Sequence, residues 1–163
     1  MNPILQTALP GHPETNSPLP LVLLVEPDHM LRRTVALTAR SLQMAEIHEC
    51  SGFEEAERLI NQGRFDGLLL SLADGSENDQ GKALLRRIRA GLTKSAAGLP
   101  IAVVLEHIDR ARVERLRELQ VVHVVVRPLK ARTLLQALAA LAAHAAQLPI
   151  TAEAAAEPVA AEH

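Results

Sequence analysis

The sequence predicts a single α/β domain, a doubly wound parallel sheet of five strands with helices on both faces. Three observations carry that expectation. Short apolar runs of strand length, "LVLLV", "GLLLS", "IAVVL" and "VVHVVV", recur along the chain, as strands covered on both faces require. Between them lie longer segments whose apolar residues repeat at helical spacing. The 163 residues, 48% of them hydrophobic, suit one buried core of ordinary size.

The elements follow in order. Leu21–Val25 is the first strand. Asp28–Leu42 comes next, with Leu31, Val35, Thr38 and Leu42 at helical spacing and Asp28 placed to cap its start. A weak strand is expected over Ile47–Cys50, then a helix with Phe53, Ala56, Leu59 and Ile60 on one face and Gly63 at its end. Gly67–Ser71 reads as the third strand. After a polar loop, Leu72 to Gly81, the third helix runs Lys82–Arg89 with Leu84, Leu85 and Ile88 inward. Pro100 introduces the fourth strand, Ile101–Leu105, and "DRARVERLREL" follows as a charged helix with an apolar side of Ile108, Val113, Leu116 and Leu119. Val121–Val126 is the fifth strand, and Lys130–Gln147 is the last helix, striped by Leu134, Leu138, Leu141 and Ala145. Strands alternating with helices through short, right-handed connections give the flavodoxin-like order 2-1-3-4-5. Residues 1–19, with four prolines, read as a flexible leader, 20–147 as the domain and 148–163 as a flexible tail.

Composition narrows the function. Aromatic residues make up 1% of the chain, two phenylalanines in all, so the platforms that stack nucleic-acid bases are missing. The net charge is −2 and Lys and Arg are spread over several segments, which argues against a nucleic-acid partner. Cys50 is the single cysteine, compatible with a reducing compartment. Apolar runs fall short of a membrane span and the N-terminus lacks a secretory pattern; a cytoplasmic location without membrane contact is expected. The seven histidines are scattered, and Asp74, Glu77 and Asp79 match no calcium-loop spacing, so no metal site is expected. Lys82, Arg86, Arg87, Arg89 and Lys94 read as a basic, solvated helix face, and His29, Arg32 and Arg33 as the wet side of the first helix.

The segments "PLVLLVEPDHMLRR", "RFDGLLLSL", "GKALLRRIR", "LPIAVVL" and "VVHVVVRPL", in this order and spacing, resemble the receiver (CheY-like) domain of bacterial two-component response regulators. The resemblance spans about Pro20 to His144. It implies an acidic pair after the first strand that holds Mg²⁺, a phosphoacceptor aspartate ending the third, a hydroxyl residue ending the fourth, and Lys-Pro after the fifth. Here Glu26 matches the first acid, Pro27 replaces the second, Ser71 stands at the phosphoacceptor, Leu105 at the hydroxyl and Arg127-Pro128 at the Lys-Pro. Val124 falls where the family carries a switch aromatic.

Phosphoryl transfer needs a nucleophilic oxygen in line with phosphorus and a cation on the equatorial oxygens. With Pro27 beside Glu26, Mg²⁺ binding is expected to be weak or absent and no cofactor is implied. Ser71 lacks a neighbouring base, His107 being the nearest histidine and expected in an exposed loop, so no catalytic residue is assigned. Glu26 and Arg127 are expected to pair and close the site without metal. The resemblance then implies a degenerate pseudo-receiver, not an enzyme, acting in bacterial signalling through a protein partner or self-association. Its expected contact surface is the helix 4–strand 5–helix 5 face, with Arg112, Arg115 and Glu118. One alternative is a stand-alone phosphorelay receiver with an unorthodox acceptor such as Asp74. Another is a flavodoxin-like enzyme binding a nucleotide or flavin, disfavoured because no Gly-rich phosphate loop follows the first strand.

Overall fold

The computed structural model describes residues 18–73 and 76–145. Most of the expected leader, the tail over 148–163, Asp74 and the side chain of Glu77 lie outside the described residues. The chain forms β1 (Leu21–Val25), α1 (His29–Ser41), β2 (Glu46–Cys50), α2 (Phe53–Gln62), β3 (Gly67–Leu72), α3 (Ser76–Arg89), β4 (Ile101–Leu105), α4 (Arg110–Glu118), β5 (His123–Val126) and α5 (Ala131–Ala145). The sheet order is β2-β1-β3-β4-β5 with every pairing parallel, as the sequence predicts.

Strand side chains alternate between two apolar layers. Val22, Leu24, Leu69, Ala102, Val104 and Val125 pack on one face against Val35 and Ala39 of α1 and Leu134, Ala137, Leu138 and Leu141 of α5. Leu23, Val25, Leu68, Leu70, Leu72, Ile101, Val103 and Leu105 pack on the other against α2, α3 and α4. The central strands β3 and β4 are buried at every residue, while the edge strands β2 and β5 are partly exposed. That difference explains why β2 is the weakest strand signal in the sequence.

Several boundaries depart from expectation. α3 begins at Ser76, so most of the polar stretch expected as loop is helix. Gly81 lies inside that helix, at a position that excludes a side chain: a Cβ there would come within 2.2 Å of a Leu72 methyl and 3.1 Å of the Phe53 ring. β3 continues one residue past Ser71, and Leu72 pairs with Leu105. On α1 the inward stripe runs through Val35 and Ala39, whereas Leu42 caps the helix and is half exposed. Ile108 precedes α4 and is exposed, leaving Leu116 as the fully buried residue of that helix. Val121 and Val122 fall outside β5, where Gln120 takes φ 55 and the Val121 N–H returns to the Leu116 carbonyl.

Two expected solvated patches are partly structural. Arg89 is turned inward: Nε donates to the Leu119 carbonyl at 2.8 Å, Nη1 to Ala97 and Leu99 at 2.8 and 2.7 Å, and Nη2 to Gln120 at 3.0 Å. This one guanidinium ties the end of α3 to the approach to β4 and the end of α4. Burial lowers its pKa. Replacing Arg89 with Met removes four charge-assisted bonds and is expected to cost about 2 kcal/mol in urea unfolding, since such bonds contribute roughly 1.5–3 each but do not add. A loss near zero would mean that water replaces the guanidinium. Arg87 meets Glu57 of α2 at 3.0 Å. Arg32, expected on the wet face of α1, instead donates to the Glu26 carbonyl at 2.7 Å.

Candidate functional site

The site forms where the strands end. Glu26, Ser71, Glu106 and Arg127 each stand two residues beyond Leu24, Leu69, Val104 and Val125, all members of the α1/α5 layer. The period of two therefore assigns these polar residues to the face that the apolar ones occupy. Register completes the placement: Val25 is level with Leu70 and Leu105 with Val126, so Glu26 lies beside Ser71 and Glu106 beside Arg127.

Glu26 is 2% exposed, and its carboxylate is closed by three donors. Oε1 accepts the Asp28 N–H at 2.9 Å. Oε2 accepts both the Ser71 hydroxyl and Arg127 Nη2, the latter at 2.9 Å. The backbone N–H of Glu26 donates to the Cys50 carbonyl of β2 at 3.0 Å. Arg127 Nε holds Glu106 at 3.2 Å, and the Arg127 N–H donates to the Leu105 carbonyl at 2.8 Å. All five strand ends thus meet in one polar network. The peptide bond between Arg127 and Pro128 is cis.

The expected Glu26–Arg127 pair forms, and Glu106, which the sequence reading did not include, adds a second carboxylate to the same guanidinium. Period-two patterning extended one step past β4 is the signal that identifies Glu106. Asp28 caps α1, its Oδ1 accepting the Leu31 N–H at 2.8 Å. Leu105 lies in the apolar layer of α2, α3 and α4, on the opposite side of the sheet from Glu26. Val124 packs against that same layer. Pro27 is exposed. His107 is exposed, and its carbonyl accepts from Arg112 Nη1 at 2.7 Å. Arg115 and Glu118 are exposed on α4, whereas Arg112 is partly buried.

Above the network lies a cavity of about 310 Å³, lined by Glu26, Asp28, Phe53, Gln80, Glu106 and Arg127 among others. The residues present do not fit Mg²⁺. That ion takes carboxylate and water oxygens in octahedral array, yet both oxygens of Glu26 are engaged and the next residue is Pro27. Among the described residues, no group of three or more His, Cys, Asp or Glu side chains is arranged to hold a metal. Cys50 is 1% exposed, and burial pushes its thiol up to about 11. It is a poor nucleophile.

No protein-family model matches the sequence, and no curated protein matches it. Solved structures do. The chemotaxis response regulator CheY4 of Vibrio cholerae superposes with a TM-score of 0.65 at 18% identity, covering 76% of this chain and 98% of that one. A response regulator receiver protein from Pseudomonas putida gives 0.63 at 25% identity over 74% and 96% of the two chains. The signal receiver domain of a modulated diguanylate cyclase from Desulfovibrio desulfuricans G20 gives 0.61 at 23% over 79% and 98%. The chain therefore has the fold of a response-regulator receiver domain, CheY-like in strand order and helix placement. Among the described residues, no helix is long and apolar enough to cross a membrane.

Proposed function

We propose that this domain is a pseudo-receiver that serves bacterial signal transduction through phosphorylation-independent protein contact, with no catalytic step of its own. One observation carries the reading: both oxygens of the buried Glu26 carboxylate already accept hydrogen bonds, from the Asp28 N–H, the Ser71 hydroxyl and Arg127. A tethered guanidinium supplies the positive charge that a metal would otherwise bring, and a hydroxyl stands where a phosphoacceptor carboxylate would be needed. Phosphoryl transfer has neither an acceptor carboxylate at β3 nor an open cation position. Function then falls to the outer surfaces, with the α4–β5–α5 edge as the contact face for a protein partner.

Incubation with acetyl phosphate and Mg²⁺, followed by intact mass and amide NMR spectra, tests the reading. The expected result is an unchanged mass and no Mg²⁺-dependent shifts at Glu26, Ser71 or Arg127. A phosphorylated species, or saturable Mg²⁺ binding at Glu26, would overturn it.

A further inference from the structure

The cavity above the strand ends carries charge that the network beneath it does not neutralise. Among the residues that line it, the carboxylates of Glu26, Asp28 and Glu106 stand against one guanidinium, that of Arg127. Glu26 is buried, and both of its oxygens already have donors. Asp28 and Glu106 are exposed and only half engaged. Asp28 Oδ1 accepts the Leu31 N–H and Glu106 Oε1 meets Arg127 Nε, while the second oxygen of each has no hydrogen bond or ion pair among the described residues. Three carboxylates against one guanidinium leave two negative charges in excess. They lie apart from the closed position at Glu26.

Their placement selects the kind of cation. Asp28 follows β1 and Glu106 follows β4, strands that β3 separates in the sheet, so the two carboxylates approach the cavity from segments about 10 Å apart at ordinary strand spacing. A metal ion needs several oxygens converging on one point at roughly 2.0–2.6 Å, and no group of three or more His, Cys, Asp or Glu side chains among the described residues is so arranged. An extended organic cation needs no such convergence. The half-buried Phe53, first residue of α2, adds an aromatic wall to the same cavity, and a ring attracts ammonium and guanidinium groups as well as packing against methylenes. A volume of about 310 Å³ lies at the small end of ligand sites. Arg127 recruits no anion there, because Glu26 and Glu106 hold it from two sides.

We propose that this cavity binds a short linear diamine or amino-guanidine compound, one charged end at Asp28, the other at Glu106 and the methylenes against Phe53. The inference rests on the reading of the strand-end site as closed to Mg²⁺ and adds a ligand class for the same edge of the sheet. A basic side chain from a protein partner is a poorer occupant, since it brings one charge to two carboxylates.

The test titrates the full chain, isotope-labelled and at neutral pH, with 1,4-diaminobutane, agmatine, butylamine, 1,4-butanediol and Mg²⁺. The two dications are expected to give saturable shifts at the amides of Asp28, Phe53, Gln80 and Glu106, and to weaken with salt. Butylamine should bind about tenfold more weakly, and neither the diol nor Mg²⁺ should saturate these shifts. Asp28→Asn keeps a capping side chain on α1 and Glu106→Gln keeps an acceptor for Arg127, so each removes a charge without removing a structural bond. Either should weaken diaminobutane by about tenfold and reduce its salt dependence. Phe53→Leu should weaken it by about threefold with the salt dependence unchanged. Glu54→Gln removes a neighbouring charge of α2 that does not line the cavity, and it should leave the affinity nearly unchanged. Absence of saturable diamine binding, equal affinity for butylamine, an equal loss in Glu54→Gln, or tighter binding of a lysine peptide than of the free diamine would each overturn the proposal. Failure of diamine binding with an unchanged acetyl-phosphate mass removes this inference alone, whereas a phosphorylated mass removes the functional reading.

Discussion

Replacing Arg127 with Met is expected to lower the unfolding free energy by about 4 kcal/mol, within the range for stripping a buried charge of its partner. Met keeps much of the apolar stem and removes the guanidinium. Glu26, 2% exposed, would then carry a negative charge with only the Asp28 N–H and the Ser71 hydroxyl to hold it. Glu106 is 48% exposed on its side chain, and water takes over its half of the interaction at little cost. The double variant Glu26→Gln/Arg127→Met removes both charges, and it should regain more than half of the loss because a neutral buried pair carries no uncompensated charge. Arg127→Lys should fall between, since an ammonium lacks the planar fork that spans two carboxylates. Urea unfolding of the four proteins checks the order. A loss below about 1 kcal/mol for Arg127→Met would place the pair among ordinary surface contacts.

Ser71→Asp, which restores a carboxylate at the end of β3, is expected to destabilise the protein and leave it inert. The Ser71 hydroxyl donates to the Glu26 oxygen that Arg127 also holds. An aspartate there sets acceptor against acceptor in a buried position, and one of the two carboxyls must keep a proton in the folded state. The cost at neutral pH is expected to be about 3 kcal/mol relative to the parent. Its pH dependence has a definite sign. A carboxyl whose folded pKa is raised binds a proton that the unfolded chain has released above about 3.9, so the penalty is full near neutrality and fades as pH falls through the folded value toward the unfolded one. Urea titrations of variant and parent from neutral to acidic pH measure this difference directly. Acetyl phosphate with Mg²⁺ should leave the variant's mass unchanged, because Arg127 still occupies Glu26 and Leu105 still faces the opposite layer. Rapid Mg²⁺-dependent phosphorylation of this single variant would show that Arg127 and Pro27 do not keep the cation out.

The two variants probe a site whose members differ in how far the sequence exposes them. Ser71 and Arg127 stand at the ends of apolar runs, where a change from apolar to polar marks a strand end. Glu106, like Arg127, stands one residue beyond the last apolar residue of its strand, but the resemblance assigns the site position after β4 to Leu105 and so passes over it. The alternation of side chains passes through the strand end, so Leu105 belongs to one layer and Glu106 to the other. Arg89 was hidden for a different reason. A charged residue at the end of a helix reads as solvated, and only the folding of the loop before β4 and the end of α4 around it supplies four carbonyl acceptors. The early start of α3 is hidden too: Ser76 to Gly81 carries the residues of a loop, and the glycine at 81 reads as a turn, whereas in the structure it is the residue that fits where Leu72 and Phe53 leave no room for a Cβ.

By itself the sequence determined the alternation of strands and helices and the parallel order, while the positions of Pro27, Ser71 and Leu105 against a phosphorylatable receiver are what its resemblance to that family implies. The alternation is a property of local periodicity and residue type, and it needs no knowledge of which side chains meet at the strand ends. Only the tertiary structure decided that Glu26 takes the Asp28 N–H, the Ser71 hydroxyl and Arg127 together, that Glu106 shares the guanidinium, and that Leu105 faces away. The physical reason is strand register. Residues 45 and 101 positions apart meet at Glu26, and a contact of that separation is set by how the strands align in the sheet, which periodicity along a single segment does not encode.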